Sequence, residues 1–308
     1  MSSPRVAILP SSTDEIRRAV TEGGGAVVGI EEADALVWTD PRKPQQLKEV
    51  LESSQVEWVQ LPFAGIESFF EAGVIDPALT WTCAKGIYGP ACAEHALAFM
   101  LAVARRLHVH IRAESWSELG RDSPEYRLDG RTVVVVGTGG IGVALVPMLR
   151  PLGLRLIGVN RSGRALEGAE RTVVVDELDS VLPEADFVVV AAPYTEATHH
   201  LFDENKFAAM ASDAWIVNVA RGGLIDTDAL VAALQAGDIG GAALDVTDPE
   251  PLPDGHPLWE LENCLITPHV ANTWAMGLAE LPDLVRRNVA ARARGESLEG
   301  LVDPKQGY

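Results

Sequence analysis

Cysteine is scarce in this 308-residue sequence: Cys83, Cys92 and Cys264 are all there is, with no C-x-x-C spacing. This argues against a disulfide framework and a thiolate metal site, and it fits a reducing cytoplasm. Long apolar runs are missing as well. The longest, Ala96–Ala104, has 9 residues, about half of what a membrane-spanning helix needs. The opening MSSPRVAILP has no basic stretch leading into an apolar one, so no secretory signal is read there. Positive charge is also in short supply, with 25 Lys+Arg against 44 Asp+Glu and a formal charge of -19. Such a surface repels nucleic acid and anionic membranes, and neither is expected as a partner. Low-complexity tracts and repeats of solenoid period do not occur.

What is present is an ordinary globular composition, 47% hydrophobic, in a chain past the size at which one core usually stops growing. Two domains are expected. In the first hundred residues, strand patterns at Arg5–Leu9, Asp34–Trp38, Glu57–Leu61 and Thr80–Cys83 alternate with helical ones at Thr13–Thr21 and Pro44–Ser53. Alternation of this kind predicts a parallel sheet. Ala91–Arg112 reads as one long helix. A second and clearer series of strands follows: Arg131–Val136, Leu154–Val159, Phe187–Ala191, Ala214–Val219, Gly241–Leu244 and Cys264–Thr267. Their apolar residues run on without alternation, as in strands covered by helices on both faces. A last helix is expected over Ala275–Arg294. The fold class is α/β, with a parallel sheet in each of two units.

Strand Arg131–Val136 runs straight into Gly137-Thr138-Gly139-Gly140-Ile141-Gly142 and then an apolar helix. G-x-G-x-x-G in this setting is a dinucleotide site. The first Gly permits a tight turn, the second lets the backbone approach a pyrophosphate, and the third lets helix and strand pack closely. The helix N-terminus adds unpaired N–H groups and partial positive charge. Pro147, inside that helix, is expected to kink it. An NAD site would carry Asp or Glu at the end of the next strand. Here the chain reads Val159-Asn160-Arg161-Ser162-Gly163-Arg164. With no acid to repel a 2′-phosphate, and Arg161, Ser162 and Arg164 to pair with one, NADPH is expected over NADH.

Three later segments each follow a buried strand: Asn218-Val219-Ala220-Arg221, Asp245-Val246-Thr247-Asp248-Pro249-Glu250 and Thr267-Pro268-His269. Ligands of open α/β sheets bind beyond the carboxyl ends of the strands, so these segments can meet at one crevice. Reduction of a 2-oxo acid needs what they carry. His269 can protonate the carbonyl oxygen as hydride reaches the carbon. Glu250 can orient the imidazole and favour its charged form. Arg221 can grip the carboxylate and carbonyl with its planar fork. Asp245 can balance the cationic ring of the oxidised cofactor or hold its carboxamide.

In this order and spacing, the segments G-T-G-G-I-G, N-V-A-R-G-G, D-V-T-D-P-E-P-L-P and T-P-H-V-A resemble the D-isomer-specific 2-hydroxyacid dehydrogenase family. Arg221, Glu250 and His269 fall on that family's Arg, Glu and His. The resemblance implies two Rossmann-like, doubly wound parallel-sheet domains, a substrate domain at residues 1–97, a cofactor domain at 98–272 and a return to the substrate domain at 273–308, with the active site in the cleft between them. It implies a homodimer built on the helix from Ala91, cofactor contacts at Pro193 and Ala220 as well, and a substrate-carboxylate loop at Phe63-Ala64-Gly65-Ile66. Phe63 stands where phosphoglycerate dehydrogenases carry Arg, so a phosphorylated substrate would have little to hold it. Trp38, Phe63 and Trp274 instead predict an apolar mouth for a small or modestly hydrophobic 2-oxo acid. Trp38, the Arg after the second strand and the ending Val302–Tyr308 are similar to bacterial glyoxylate/hydroxypyruvate reductases.

The competing readings are a nicotinamide-sensing corepressor and a dehydrogenase of a phosphorylated hydroxy acid. Formate dehydrogenase is disfavoured, because in that group Gln partners the His. No metal is expected: His108 and His110, two apart on a helix, cannot share a face as ligands. His95 reads as an ordinary helix residue, and His199 and His200 as part of a polar loop. Cys83 and Cys92 read as buried thiols.

Overall fold

A computed structural model of the protein describes residues 3–116 and 124–304. The chain forms two compact units, residues 1–88 with 273–308, and residues 89–272.

The first unit opens with β1 (Arg5–Leu9), α1 (Asp14–Glu22), β2 (Ala26–Val27), β3 (Ala35–Trp38), α2 (Pro44–Glu52), β4 (Trp58–Gln60), α3 (Glu67–Glu71) and β5 (Thr80–Thr82). All its strands are parallel, in the order β2-β1-β3-β4-β5. Helix α1 starts where Thr13 accepts the Ile16 N–H on its side chain, and it buries Ile16, Ala19 and Val20 at helical spacing. β2 and α3 were not expected; each is too short to show a period.

The second unit begins with α4 (Gly89–Ala104) and α5 (Leu107–His110). It continues through β6 (Thr132–Val136), α6 (Gly140–Leu149), β7 (Arg155–Asn160), β8 (Arg171–Val174), α7 (Leu178–Val181), β9 (Phe187–Val190), α8 (Glu204–Ala209), β10 (Trp215–Asn218), α9 (Thr227–Ala236), β11 (Gly241–Leu244) and β12 (Cys264–Ile266). The parallel sheet runs β12-β11-β10-β9-β6-β7-β8. Successive strand residues point to opposite faces. Val134, Val136, Val188, Val190 and Ile216 therefore join one core. Val133, Val135, Phe187, Val189 and Val217 join the other, against Ala93, Ala96 and Met100 of α4 and Leu145 and Leu149 of α6. Burial on both faces is why these strands read as unbroken apolar runs.

The structure departs from expectation here in the long helix and in one added edge strand. The second compact unit takes in α4 from Gly89, because this helix packs along its length on the second core. The helix expected over Ala91–Arg112 ends at Ala104. Arg106 takes a left-handed conformation, φ 48°, before α5, and neither Gly nor Pro marks the break in sequence. At Pro147 the helix continues to Leu149 and then tightens into a 3-10 turn over Arg150–Leu152. Strand β8 was also unforeseen, as a half-buried edge strand of only RTVV.

The chain closes the first unit with α10 (Trp274–Arg294), whose Leu281, Val285 and Val289 pack on Val6, Ile8, Val37 and Trp58. A buried polar network ties this helix to the sheet. Asn288 donates from Nδ2 to Gln60 Oε1 (2.8 Å) and the Glu299 carbonyl (3.0 Å). Gln60 Oε1 also accepts the Thr82 hydroxyl, which in turn accepts the Trp58 indole N–H, both at 2.8 Å. Each of these polar groups is satisfied inside the core, as its burial requires. Among the described residues, no helix is long and apolar enough to cross a membrane.

Candidate active site

In the seven-stranded sheet, β6 lies between β7 and β9, so the chain order reverses at β6/β9. Such a switch point is where doubly wound sheets take their ligands, and the glycine-rich turn sits on it. Gly137 has φ +102°, and a Cβ there would stand 2.4 Å from the Ala191–Ala192 backbone. A Cβ on Gly142 would stand 2.5 Å from the Gly137 carbonyl, so the third glycine lets α6 seat against the turn. Gly139, extended at the N-cap of α6, has nothing within 4 Å of a Cβ position. Gly140 and Ile141 form the first turn of α6, with Ile141 packed against the core. A backbone with an open face at a helix N-terminus is what a dinucleotide pyrophosphate requires.

The loop after β7 is organised by Asn160. Its Nδ2 donates to Thr138 Oγ1 (2.9 Å) and the Arg164 carbonyl (2.8 Å), while its Oδ1 accepts the Ser162 N–H (3.0 Å). Asn160 thus links the glycine turn to the basic loop and shapes that loop around itself. Arg161, Ser162 and Arg164 are all exposed on it. On the loop after β9, the Pro193 carbonyl accepts the Thr198 hydroxyl at 2.8 Å.

Adjacent strands β10, β11 and β12 deliver the other residues at the same edge of the sheet. Beyond β10, Asn218 is fully buried, accepts the Ala220 N–H (3.0 Å) and donates to the Arg221 carbonyl (2.9 Å). Arg221 Nη1 donates to the Ala220 carbonyl at 2.7 Å. A Cβ on Gly222 would stand 2.0 Å from the Thr247 carbonyl group, so the Arg221 segment lies directly against the loop that carries Glu250. Glu250 Oε1 is 2.6 Å from His269 Nδ1. Both side chains remain partly open, 42% and 46% exposed. With Nδ1 on the carboxylate, the ring has Nε2 to offer.

His269 itself has φ +53°, a conformation rare for a residue with a side chain. Asp245 accounts for it. The His269 N–H donates to the Asp245 carbonyl (2.8 Å), and the Asp245 carboxylate accepts the N–H groups of Val270 (2.9 Å) and Ala271 (2.8 Å). The Thr267 hydroxyl donates to the same carboxylate at 2.5 Å. Asp245 is 2% exposed, and its oxygens are spent on this turn. The geometry thus gives it a scaffolding part beyond the cofactor contact expected of it.

His95, read from sequence as an ordinary helix residue, joins this cluster from α4: its Nε2 is 3.0 Å from Thr267 Oγ1 and 3.6 Å from Asp245 Oδ1. Position 95 is 172 residues from Thr267, so no spacing rule could have linked them. Cys92, one helical turn earlier, has its thiol pushed up to about 11, first by burial and then by the Asp245 charge. Among the described residues, no group of three or more His, Cys, Asp or Glu side chains is placed to hold a metal ion.

In the first unit, Phe63 packs on Tyr88 (5.5 Å between ring centroids) and edge-on to Trp274 (5.1 Å). The Tyr88 hydroxyl donates to the Pro62 carbonyl and steadies the start of the Phe63–Ile66 loop. Ala64 and Gly65 on that loop are half-buried. Trp38 does not join them. It is fully buried in the sheet core and gives its indole N–H to the Asp40 carbonyl, so it lines no mouth. Residues 305–308 of the ending Val302–Tyr308 lie outside the described residues.

Residues 97–271 match the NAD binding domain of the D-isomer specific 2-hydroxyacid dehydrogenases. An uncharacterized protein of Corynebacterium melassecola is 40% identical over 96% of this chain and 97% of its own length. A glyoxylate reductase of Thermofilum pendens is 34% identical over 72% of this chain and 67% of its own. A crystal structure of a D-isomer specific 2-hydroxyacid dehydrogenase from Xanthobacter autotrophicus Py2, in complex with NADPH and MES, superposes with a TM-score of 0.83 at 26% identity, covering 100% of both chains. The chain belongs to the D-isomer-specific 2-hydroxyacid dehydrogenase family. It is an oxidoreductase of 2-hydroxy acids that uses a nicotinamide cofactor.

Proposed function

We propose that the protein reduces a small or modestly hydrophobic 2-oxo acid, of the glyoxylate or hydroxypyruvate kind, to the D-2-hydroxy acid with NADPH in preference to NADH. The observation that carries the reaction is the pairing of His269 Nδ1 with Glu250 Oε1 at 2.6 Å on a turn that Asp245 holds. Bound reduced nicotinamide supplies the hydride. His269 gives a proton from Nε2 to the carbonyl oxygen, and Glu250 keeps the ring oriented and balances its charge. Arg221 holds the carboxylate and the polarised carbonyl with its fork. Ala64 and Gly65 offer backbone N–H groups to the substrate anion, and Phe63 and Trp274 offer apolar surface to the rest of it.

The cofactor preference is supported by the basic loop Arg161–Arg164 and by the absence of an acid at Asn160. The Thermofilum relative's activity and the NADPH held by the Xanthobacter protein agree with this reading. We further propose a homodimer formed through α4 and the residues after it, where Leu101, Leu107, Ile111 and Trp116 are exposed. A reducing, cytoplasmic setting suits the three free thiols.

A panel of 2-oxo acids, each assayed with NADPH and with NADH, tests the proposal. Turnover of glyoxylate and hydroxypyruvate, with the higher kcat/KM for NADPH, is expected. An equal or better kcat/KM with NADH overturns the cofactor preference, and failure on both acids overturns the substrate class.

A further inference from the structure

The Thr267 hydroxyl has one proton, and the 2.5 Å contact with Asp245 Oδ1 uses it, because a carboxylate can only accept. Toward His95, at 3.0 Å, Thr267 Oγ1 must therefore act as acceptor, and the proton between them belongs to His95 Nε2. The chain of hydrogen bonds has one direction. It runs from His95 through Thr267 to Asp245, whose carboxylate then takes the N–H groups of Val270 and Ala271, the two residues after His269. The imidazole is well fixed for this part. It is 21% exposed, lies edge-on to Phe99 with ring centroids 4.6 Å apart, and rides on α4, which is packed into the core. Asp245 has no comparable second support on that side: its other contacts are backbone N–H groups of the turn it holds.

We propose that His95 is a positioning residue for the dehydrogenase reaction: by fixing the Thr267 hydroxyl toward Asp245, it sets the left-handed turn that aims His269. This rests on His269 being the proton donor. Without the His95 proton, the Thr267 hydroxyl is free to rotate, Oδ1 of Asp245 keeps the Val270 N–H but loses its hydroxyl partner, and the turn at φ +53° is held by fewer bonds. A side chain in that conformation persists only where its surroundings over-determine it. The effect should fall on the orientation of the ring and leave cofactor binding alone.

The experiment compares His95→Leu, His95→Gln and Thr267→Val with the wild type in the full-length protein. Gln can present an amide N–H near the place of Nε2. Leu removes the donor, and Val removes the relay. We expect kcat to fall about three- to tenfold in His95→Leu and in Thr267→Val, the range for one hydrogen bond, with KM for NADPH unchanged and kcat restored in His95→Gln. The double variant should lose no more than either single one, because both cut the same chain. Amide hydrogen exchange gives a readout that needs no turnover: Val270 and Ala271 should exchange faster in His95→Leu and Thr267→Val and return to wild-type rates in His95→Gln. Unchanged exchange and kcat in both cutting variants, or additive losses in the double variant, overturn the proposal. His269→Ala separates the two readings. If it retains turnover, the proton-donor assignment fails, while the exchange rates still judge the link from His95 to the turn.

Discussion

His269 presents Nδ1 to Glu250 Oε1 at 2.6 Å while its backbone is held in a left-handed turn by Asp245. Ring and backbone are fixed by different residues on the same loop system, so the two can be tested apart. Replacing His269 with Ala should lower kcat for 2-oxo acid reduction by about 10²–10⁴, the usual range for a lost general acid. A loss below tenfold would remove it from that part. Glu250→Gln keeps an acceptor for the ring N–H but removes the charge, and Glu250→Ala removes both. Turnover should decline in the order wild type, Gln, Ala, with the Gln variant down by about tenfold or more. Steady-state kinetics on the three proteins would expose any other order.

Arg221 lies on a segment pinned by Asn218 and pressed against the Glu250 loop through Gly222. The backbone therefore leaves little room for a different side chain to reach the same place. Arg221→Lys keeps the charge and loses the planar fork, so kcat/KM for the 2-oxo acid should fall by about 10²-fold, as for a reactant misplaced by an ångström. A variant that kept wild-type kcat/KM would mean that the carboxylate is gripped elsewhere. Gly222→Ala makes the complementary test. Its Cβ would meet the Thr247 carbonyl group at 2.0 Å, so the loop must move and activity should drop although no functional group is lost.

Much of this arrangement was legible beforehand, for identifiable reasons. Strand β11 is found where its apolar run places it, and β6 starts one residue later, at Thr132, because burial on both faces leaves a run with no polar interruption. Arg221 and His269 stand just past such runs, so their place at the sheet edge follows from the strands. The end of α4 was not legible, since Leu107, Val109 and Ile111 continue an apolar pattern through a break that is made by the backbone of Arg106. Trp38 was misplaced because an indole reads the same in a core as at a mouth; only its neighbours decide, and they bury it completely. The part of His95 is not legible in the sequence, because its partner Thr267 comes near only when α4 packs on the core of the folded unit.

Asn160 joins Thr138 of the glycine turn to the loop bearing Arg161, Ser162 and Arg164. Asn160→Asp places a carboxylate where the 2′-phosphate is expected and withdraws the Nδ2 donor from Thr138. Like charges would then repel NADPH, while the ribose 2′-hydroxyl of NADH would gain an acceptor. The ratio of kcat/KM for NADPH over NADH should fall by about 10- to 100-fold, the worth of one hydrogen bond to a charged group. Arg164→Ala should raise KM for NADPH and leave KM for NADH in place. Equal effects of that change on both cofactors would show that the arginine does not read the phosphate.

The three thiols give a pH-dependent prediction whose sign follows from burial. Desolvation pushes Cys92 up to about 11 and Cys264 to about 12, and it raises Cys83 as well. Only a thiolate attacks an electrophile, and a raised value means that little thiolate exists until the pH approaches it. At pH 8 the native protein should react with a disulfide reagent far more slowly than the denatured chain, where thiols titrate near 8.5. Raising the pH from 8 to 10 should speed the native reaction, and Cys92, the least enclosed of the three, should account for the first equivalent. Cys92 also feels the Arg221 charge, which favours its thiolate. Arg221→Ala should therefore slow that first equivalent further, and a faster reaction in the variant would show that the guanidinium acts on Cys92 by covering it rather than by its charge.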